Sequence, residues 1–72
     1  MTYPCEPGYC YKTMYGDTIY GTSEEVARAC SMDPKCKAYQ YELSPEFGGY
    51  GTLCSTRKND GEFNRFQICT KP

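Results

Sequence analysis

Six cysteines in a chain without histidine constrain this fold more than any other feature. They fall at Cys5, Cys10, Cys30, Cys36, Cys54 and Cys69, and no two form a C-x-x-C pair. Without imidazole a mixed cysteine–histidine zinc site is excluded. A site of four thiolates would leave two thiols over and lacks the usual paired knuckles. Three disulfides are therefore expected. Disulfides persist in oxidising surroundings, so the chain is expected to be secreted and to work outside the cell.

The bridges answer a shortage. At 72 residues the chain forms one domain, 1–72, smaller than a single apolar core normally stabilises unaided. Leu, Ile, Val and Phe together number only 8, which alone would suggest disorder. Eight tyrosines, the six cysteines and a net charge of −1 argue the other way. Aromatic rings supply packing surface and the cysteines supply covalent closure.

The same composition removes several function classes. Without histidine, neither a Ser-His-Asp nor a Cys-His nucleophile can be assembled. No Gly-rich phosphate loop is present. The carboxylate pairs Glu24-Glu25 and Asp60-x-Glu62 read as solvated helix and turn charges rather than an acid–base pair. No acidic cluster has calcium-loop spacing, so no metal or other cofactor is expected and the chain is not read as an enzyme. Eight basic against nine acidic residues leave no field for nucleic acid and no polybasic membrane patch. No apolar run reaches the length of a membrane span, and no signal-peptide core follows Met1. The expectation is a mature fragment to which an initiator Met was added.

Along the chain, residues 1–9 hold two prolines and a glycine and read as irregular, tied down by a bridge at Cys5. Cys10 to Ile19 suggests two short strands, or one strand with a turn at Tyr15-Gly16-Asp17-Thr18. Thr22-Ser23-Glu24-Glu25 has the form of a capping box, and Asp33-Pro34 is a stop signal. Between them a helix over about 23–32 carries Val26 and Cys30 on one face. Lys37 to Leu43 alternates, with Tyr39, Tyr41 and Leu43 on one side. A glycine-rich loop, 44–51, and a return strand at Thr52–Thr56 complete a hairpin over about 37–56. Asn59-Asp60-Gly61 marks a turn before a last strand over Phe63–Thr70 that includes Phe66, Ile68 and Cys69. The outline is α+β: one helix against a small antiparallel sheet.

The stretch Ser23-Glu24-Glu25-Val26-Ala27-Arg28-Ala29-Cys30, then Asp33-Pro34-Lys35-Cys36-Lys37-Ala38-Tyr39-Gln40-Tyr41-Glu42, then Leu53-Cys54, resembles the PAN/apple domain family over residues 20–56. The resemblance implies a short antiparallel sheet wrapped around one helix and stapled by disulfides. It also implies a non-catalytic module that binds an extracellular protein or glycan. The family normally has a second helix cysteine one turn earlier, bonded to the hairpin-return cysteine; here that position is Val26. Cys30–Cys36 carries over from the family. For the other four, its bridge between chain ends favours Cys5–Cys69 with Cys10–Cys54, the first strand then anchoring Cys54 in place of the helix. Cys10–Cys69 with Cys5–Cys54, and Cys5–Cys10 with Cys54–Cys69, remain open.

Tyr39 and Tyr41 occupy the family's aromatic strand positions and are expected in the core. Strict alternation from Cys36, however, places Ala38 and Gln40 on the helix side unless the chain kinks on entering the strand. Tyr9, Tyr11, Tyr15 and Tyr20 read as amphipathic packing residues. Phe47 and Tyr50 lie among Gly48, Gly49 and Gly51 and are the candidate ligand-stacking rings, the other reading being a loop folded over the sheet. Arg57, Lys58, Asp60 and Arg65 are the candidate polar contacts, the other reading being solvated turns. Two further function classes fit this sequence: a free-standing secreted effector, toxin or inhibitor, and a tyrosine-rich matrix or adhesive protein.

Overall fold

The structure, a computed structural model, describes residues 2–43, 48–62 and 65–72. In chain order its elements are β1 (Cys5–Pro7), a 3-10 turn (Tyr11–Thr13), β2 (Met14–Tyr20), α1 (Ser23–Met32), β3 (Ala38–Glu42), β4 (Tyr50–Cys54) and β5 (Gln67–Thr70). The five strands form one antiparallel sheet in the order β1-β5-β3-β4-β2.

Helix α1 begins where local chemistry dictates. The Thr22 hydroxyl accepts the Glu25 amide at 3.2 Å, and Glu24 and Glu25 stand at the positive end of the helix dipole. The Glu25 carboxylate lies over Gly21, where a Cβ would collide with it. At the other end the Asp33 amide closes on the Cys30 carbonyl, and Pro34 follows. The buried stripe is narrow, Val26 and Cys30, so the helix depends on the sheet for its stability.

Both faces of the central strands are covered. On the helix side Tyr3, Val26, Cys30, Cys36, Tyr39, Tyr41, Leu53 and Cys69 form one core. On the far side Cys10, Ala38, Cys54 and Ile68 form a second. The residues flanking the 3-10 turn and those after β4 lie together at that second core. Asp60 N donates to Tyr9 O at 2.8 Å, Ser55 N to Thr13 O at 3.1 Å, and Cys10 N to the buried Gln40 Oε1 at 3.1 Å.

The tyrosines of β3 therefore face the helix, and Ala38 and Gln40 face away. Cys36 lies before the strand, and Lys37 turns the chain by donating its amide to Cys54 O at 2.9 Å. The alternation restarts at Ala38, which settles the side that strict counting from Cys36 places the other way. Leu43 falls past the strand end and is 76% exposed, so it does not join Tyr39 and Tyr41.

Other expectations are corrected. Met14–Tyr20 is a single strand, and Gly16-Asp17-Thr18 is a bulge in it rather than a turn. Tyr15 pairs with Leu53 and Ile19 with Gly51, so β2 carries two extra residues, and Gly16 takes the left-handed φ of 75°. Cys10 precedes the 3-10 turn and is not on a strand. The return strand is Tyr50–Cys54, not Thr52–Thr56, and the N-terminal segment contributes an edge strand, β1, paired to β5. Three disulfides close the fold: Cys5–Cys69, Cys10–Cys54 and Cys30–Cys36.

Candidate functional site

Register gathers one cluster at the end of the sheet. Tyr50 at the start of β4 is the direct cross-strand partner of both Tyr20 on β2 and Glu42 on β3. Alternation along β3 puts Glu42 on the far face with Ala38 and Gln40. Phe66, just before β5, stands edge-on to Tyr50 with ring centroids 6.2 Å apart, and Tyr20 lies 6.2 Å from Tyr50 on its other side. Three rings thus run across one edge of the sheet, and the outermost, Tyr20, is 64% exposed.

Glu42 is the polar centre of this group. Its side chain is buried, yet both oxygens are engaged: the Tyr50 hydroxyl donates to Oε2, and Arg65 Nε donates to Oε1 at 2.9 Å. Arg65 Nη2 stands 2.7 Å from the same Oε1, and the arginine side chain is mostly exposed. The hydrogen bond from Tyr50 holds the Glu42 carboxyl below the usual carboxylate range, with help from Arg65 and against the effect of burial. The same bond is the main cause that pushes the Tyr50 phenol upward. At neutral pH the site is a fixed carboxylate, a neutral phenol and an exposed guanidinium beside exposed aromatic surface. Oε1 takes both Arg65 contacts, whereas Oε2 keeps a second lone pair, through which the site can accept from a ligand hydroxyl while a ring stacks on Tyr20.

A hollow of about 540 Å³ adjoins Glu42 and Arg65 and is also lined by Ser23, Tyr41, Leu43 and Gln67. A second hollow of equal volume lies between the N-terminal residues and α1. Hydroxyls lining it pair with one another, Tyr3 with Ser31 at 2.7 Å and Tyr39 with Ser23 at 2.8 Å. Charged groups border both, Glu24 and Arg28 the second; the first is the better candidate because its Glu42 and Arg65 are the pair joined to Tyr50.

Of the candidate residues read from sequence, Tyr50 and Arg65 meet here through Glu42. Tyr50 is not a loop residue; it is the first residue of β4. Phe47 lies outside the described residues. Arg57, Lys58 and Asp60 follow the opposite end of β4, in a segment that turns back toward β1, where Asn59 Nδ2 donates to Pro7 O at 3.1 Å. There Arg57 Nε donates to Lys71 O at 3.1 Å, Lys58 N to Thr56 Oγ1 at 3.5 Å, and Asp60 Oδ2 accepts Lys12 N at 3.1 Å. Sequence reasoning missed Tyr20, Phe66 and Glu42 as site residues. The one signal for Glu42 was a carboxylate set beside Tyr41 in the alternating strand Lys37 to Leu43.

Among the described residues no group of three or more histidine, cysteine or carboxylate side chains could hold a metal. No helix among them is long and apolar enough to cross a membrane. The molecule is a small disulfide-stapled α+β domain. Compared with protein-family models, curated proteins and solved structures, the chain finds no match.

Proposed function

We propose that this chain is a secreted, non-catalytic binding module of the PAN/apple kind that recognises a carbohydrate, or a protein surface of like chemistry, through Tyr20, Tyr50, Phe66, Glu42 and Arg65. One observation carries the reading: exposed aromatic surface set across the sheet edge beside a carboxylate whose geometry is fixed by Tyr50 and Arg65. Saccharides offer apolar ring faces and hydroxyl edges, which match a ring platform flanked by a fixed acceptor and an exposed donor. Support for the PAN/apple kinship comes from one helix joined through Cys30–Cys36 to an aromatic strand, with a hairpin returning to Cys54. Support for an extracellular setting comes from the three bridges.

The test is a glycan array run beside a pull-down from the native surroundings, with wild type and Tyr20→Ala. Tyr20 is exposed, so its truncation should leave the fold intact and lower ligand binding at least tenfold, the scale of one stacked ring. Equal binding by the variant would remove the aromatic edge from consideration. Blank results on both screens, with inhibition of a channel or protease instead, would overturn the recognition reading.

A further inference from the structure

The chain's net charge of −1 conceals a strong segregation. The end of the sheet opposite the aromatic edge is defined by the cross-strand neighbours Met14, Cys54, Ala38 and Thr70. Within four residues of those strand ends along the chain lie Lys12, Lys35, Lys37, Arg57, Lys58 and Lys71, six of the eight basic side chains of the chain. Only Asp33 and Asp60, of nine acidic residues, share that end. The pole therefore has a formal side-chain charge of +4, and the rest of the chain −5.

The grouping is built into the backbone. Lys71 N donates to Lys37 O at 2.8 Å, Lys37 N to Cys54 O at 2.9 Å, and Arg57 Nε to Lys71 O at 3.1 Å. Lys12 joins the row through its amide on Asp60, and through neighbouring Thr13, whose hydroxyl meets that of Thr56 at 3.1 Å. Asp33 is occupied, accepting the Tyr15 hydroxyl at 2.7 Å and the Lys35 amide at 2.9 Å. Lys71 is spent on the helix end, its ammonium donating to Cys30 O and Asp33 O. The other five basic residues are exposed, and among the described residues none of them forms an ion pair.

We infer that this pole is a second binding site, separate from the aromatic edge, for a sulfated polysaccharide. Exposed cations on adjacent strand ends, about 5 Å apart from strand to strand, suit a linear polyanion and gain from release of its counterions. The choice of a sulfated glycan over nucleic acid rests on the extracellular setting proposed above.

The test is retention of the intact protein on heparin–agarose at low salt, with Lys37→Gln/Lys58→Gln set against Arg28→Glu. Both variants lower the net charge by two. Arg28 stands mid-helix, away from the pole, and circular dichroism would check that each variant folds. Wild type and Arg28→Glu should be held alike. The double variant should bind about tenfold more weakly, with the logarithmic salt slope reduced by about two. Equal weakening by both variants would show an effect of net charge alone and overturn the site. So would wild type flowing through, undiminished retention on desulfated heparin, or tighter binding to duplex DNA or to phosphatidylserine vesicles at equal salt. Failure here with a positive glycan array would remove this inference while leaving the aromatic edge standing.

Discussion

Glu42 is the side chain on which the sheet end and the proposed site both turn. A carboxylate beneath the sheet edge is costly unless its lone pairs are met, and here Tyr50 and Arg65 meet them. Its folded-state acidity is strengthened, so its contribution to stability is complete above the unfolded carboxylate range and is lost as pH falls through the lower folded value. Asp33 shifts in the same direction, chiefly because Tyr15 donates to it. Burial, and then that same bond, push the Tyr15 phenol up to about 12. Wild type should accordingly lose thermal stability on acidification below about pH 5. Glu42→Gln should melt lower than wild type at pH 7, and the gap should narrow as pH falls through the lowered range of the wild-type carboxyl. Melting curves from pH 2.5 to 7 would check this. Parallel curves for the two proteins would mean that the Glu42 charge contributes nothing.

At the scale of elements, the docking of α1 on the sheet turns on one glycine. A Cβ on Gly51 would meet Val26 Cγ1 at 3.0 Å and Gln40 O at 2.8 Å, so the absence of a side chain on β4 lets the helix approach. Gly51→Ala should cost roughly 1–3 kcal/mol, read as a lower urea midpoint; an unchanged midpoint would mean that helix and sheet can separate without penalty. This contact also marks how far sequence reasoning reaches. The helix was legible because its signals are local, Thr22 and Glu25 at one end and Asp33-Pro34 at the other. The bulge in β2 was not legible, because Gly16-Asp17 reads the same in a turn. Only pairing to Leu53 and Gly51, more than thirty residues away, distinguishes the two. Tyr50 and Arg65 could be picked out as an aromatic and a charge near turns. Glu42, Tyr20 and Phe66 become their neighbours only through cross-strand register. The basic pole was hidden for the same reason, since a near-zero net charge says nothing about which strand ends meet.

At the scale of the whole molecule, three bridges hold layers that apolar area alone could not. The Cα radius of gyration is 10.6 Å, slightly below the value of about 11 Å usual for this length, as befits a chain stapled from end to end. Cys5–Cys69 spans 64 residues and fastens the edge strand, Cys10–Cys54 spans 44 and fastens the cover of the far face, and Cys30–Cys36 spans 6 at the helix end. Loop-closure entropy assigns about 4 kcal/mol to each long bridge and about 2 kcal/mol to the short one. Burial then separates the two long ones: Cys10 and Cys54 are both fully enclosed, whereas Cys5 is exposed, so replacing the former pair also empties part of the far core. Paired Cys→Ala replacements should therefore destabilise most at Cys10/Cys54, less at Cys5/Cys69 and least at Cys30/Cys36, as ranked by urea midpoints at pH 7. A loss at Cys30/Cys36 equal to that at Cys10/Cys54 would overturn the entropic ranking. It would place the main stabilising role of the short bridge in fixing the helix end against Tyr39 and Cys69, rather than in closing a loop.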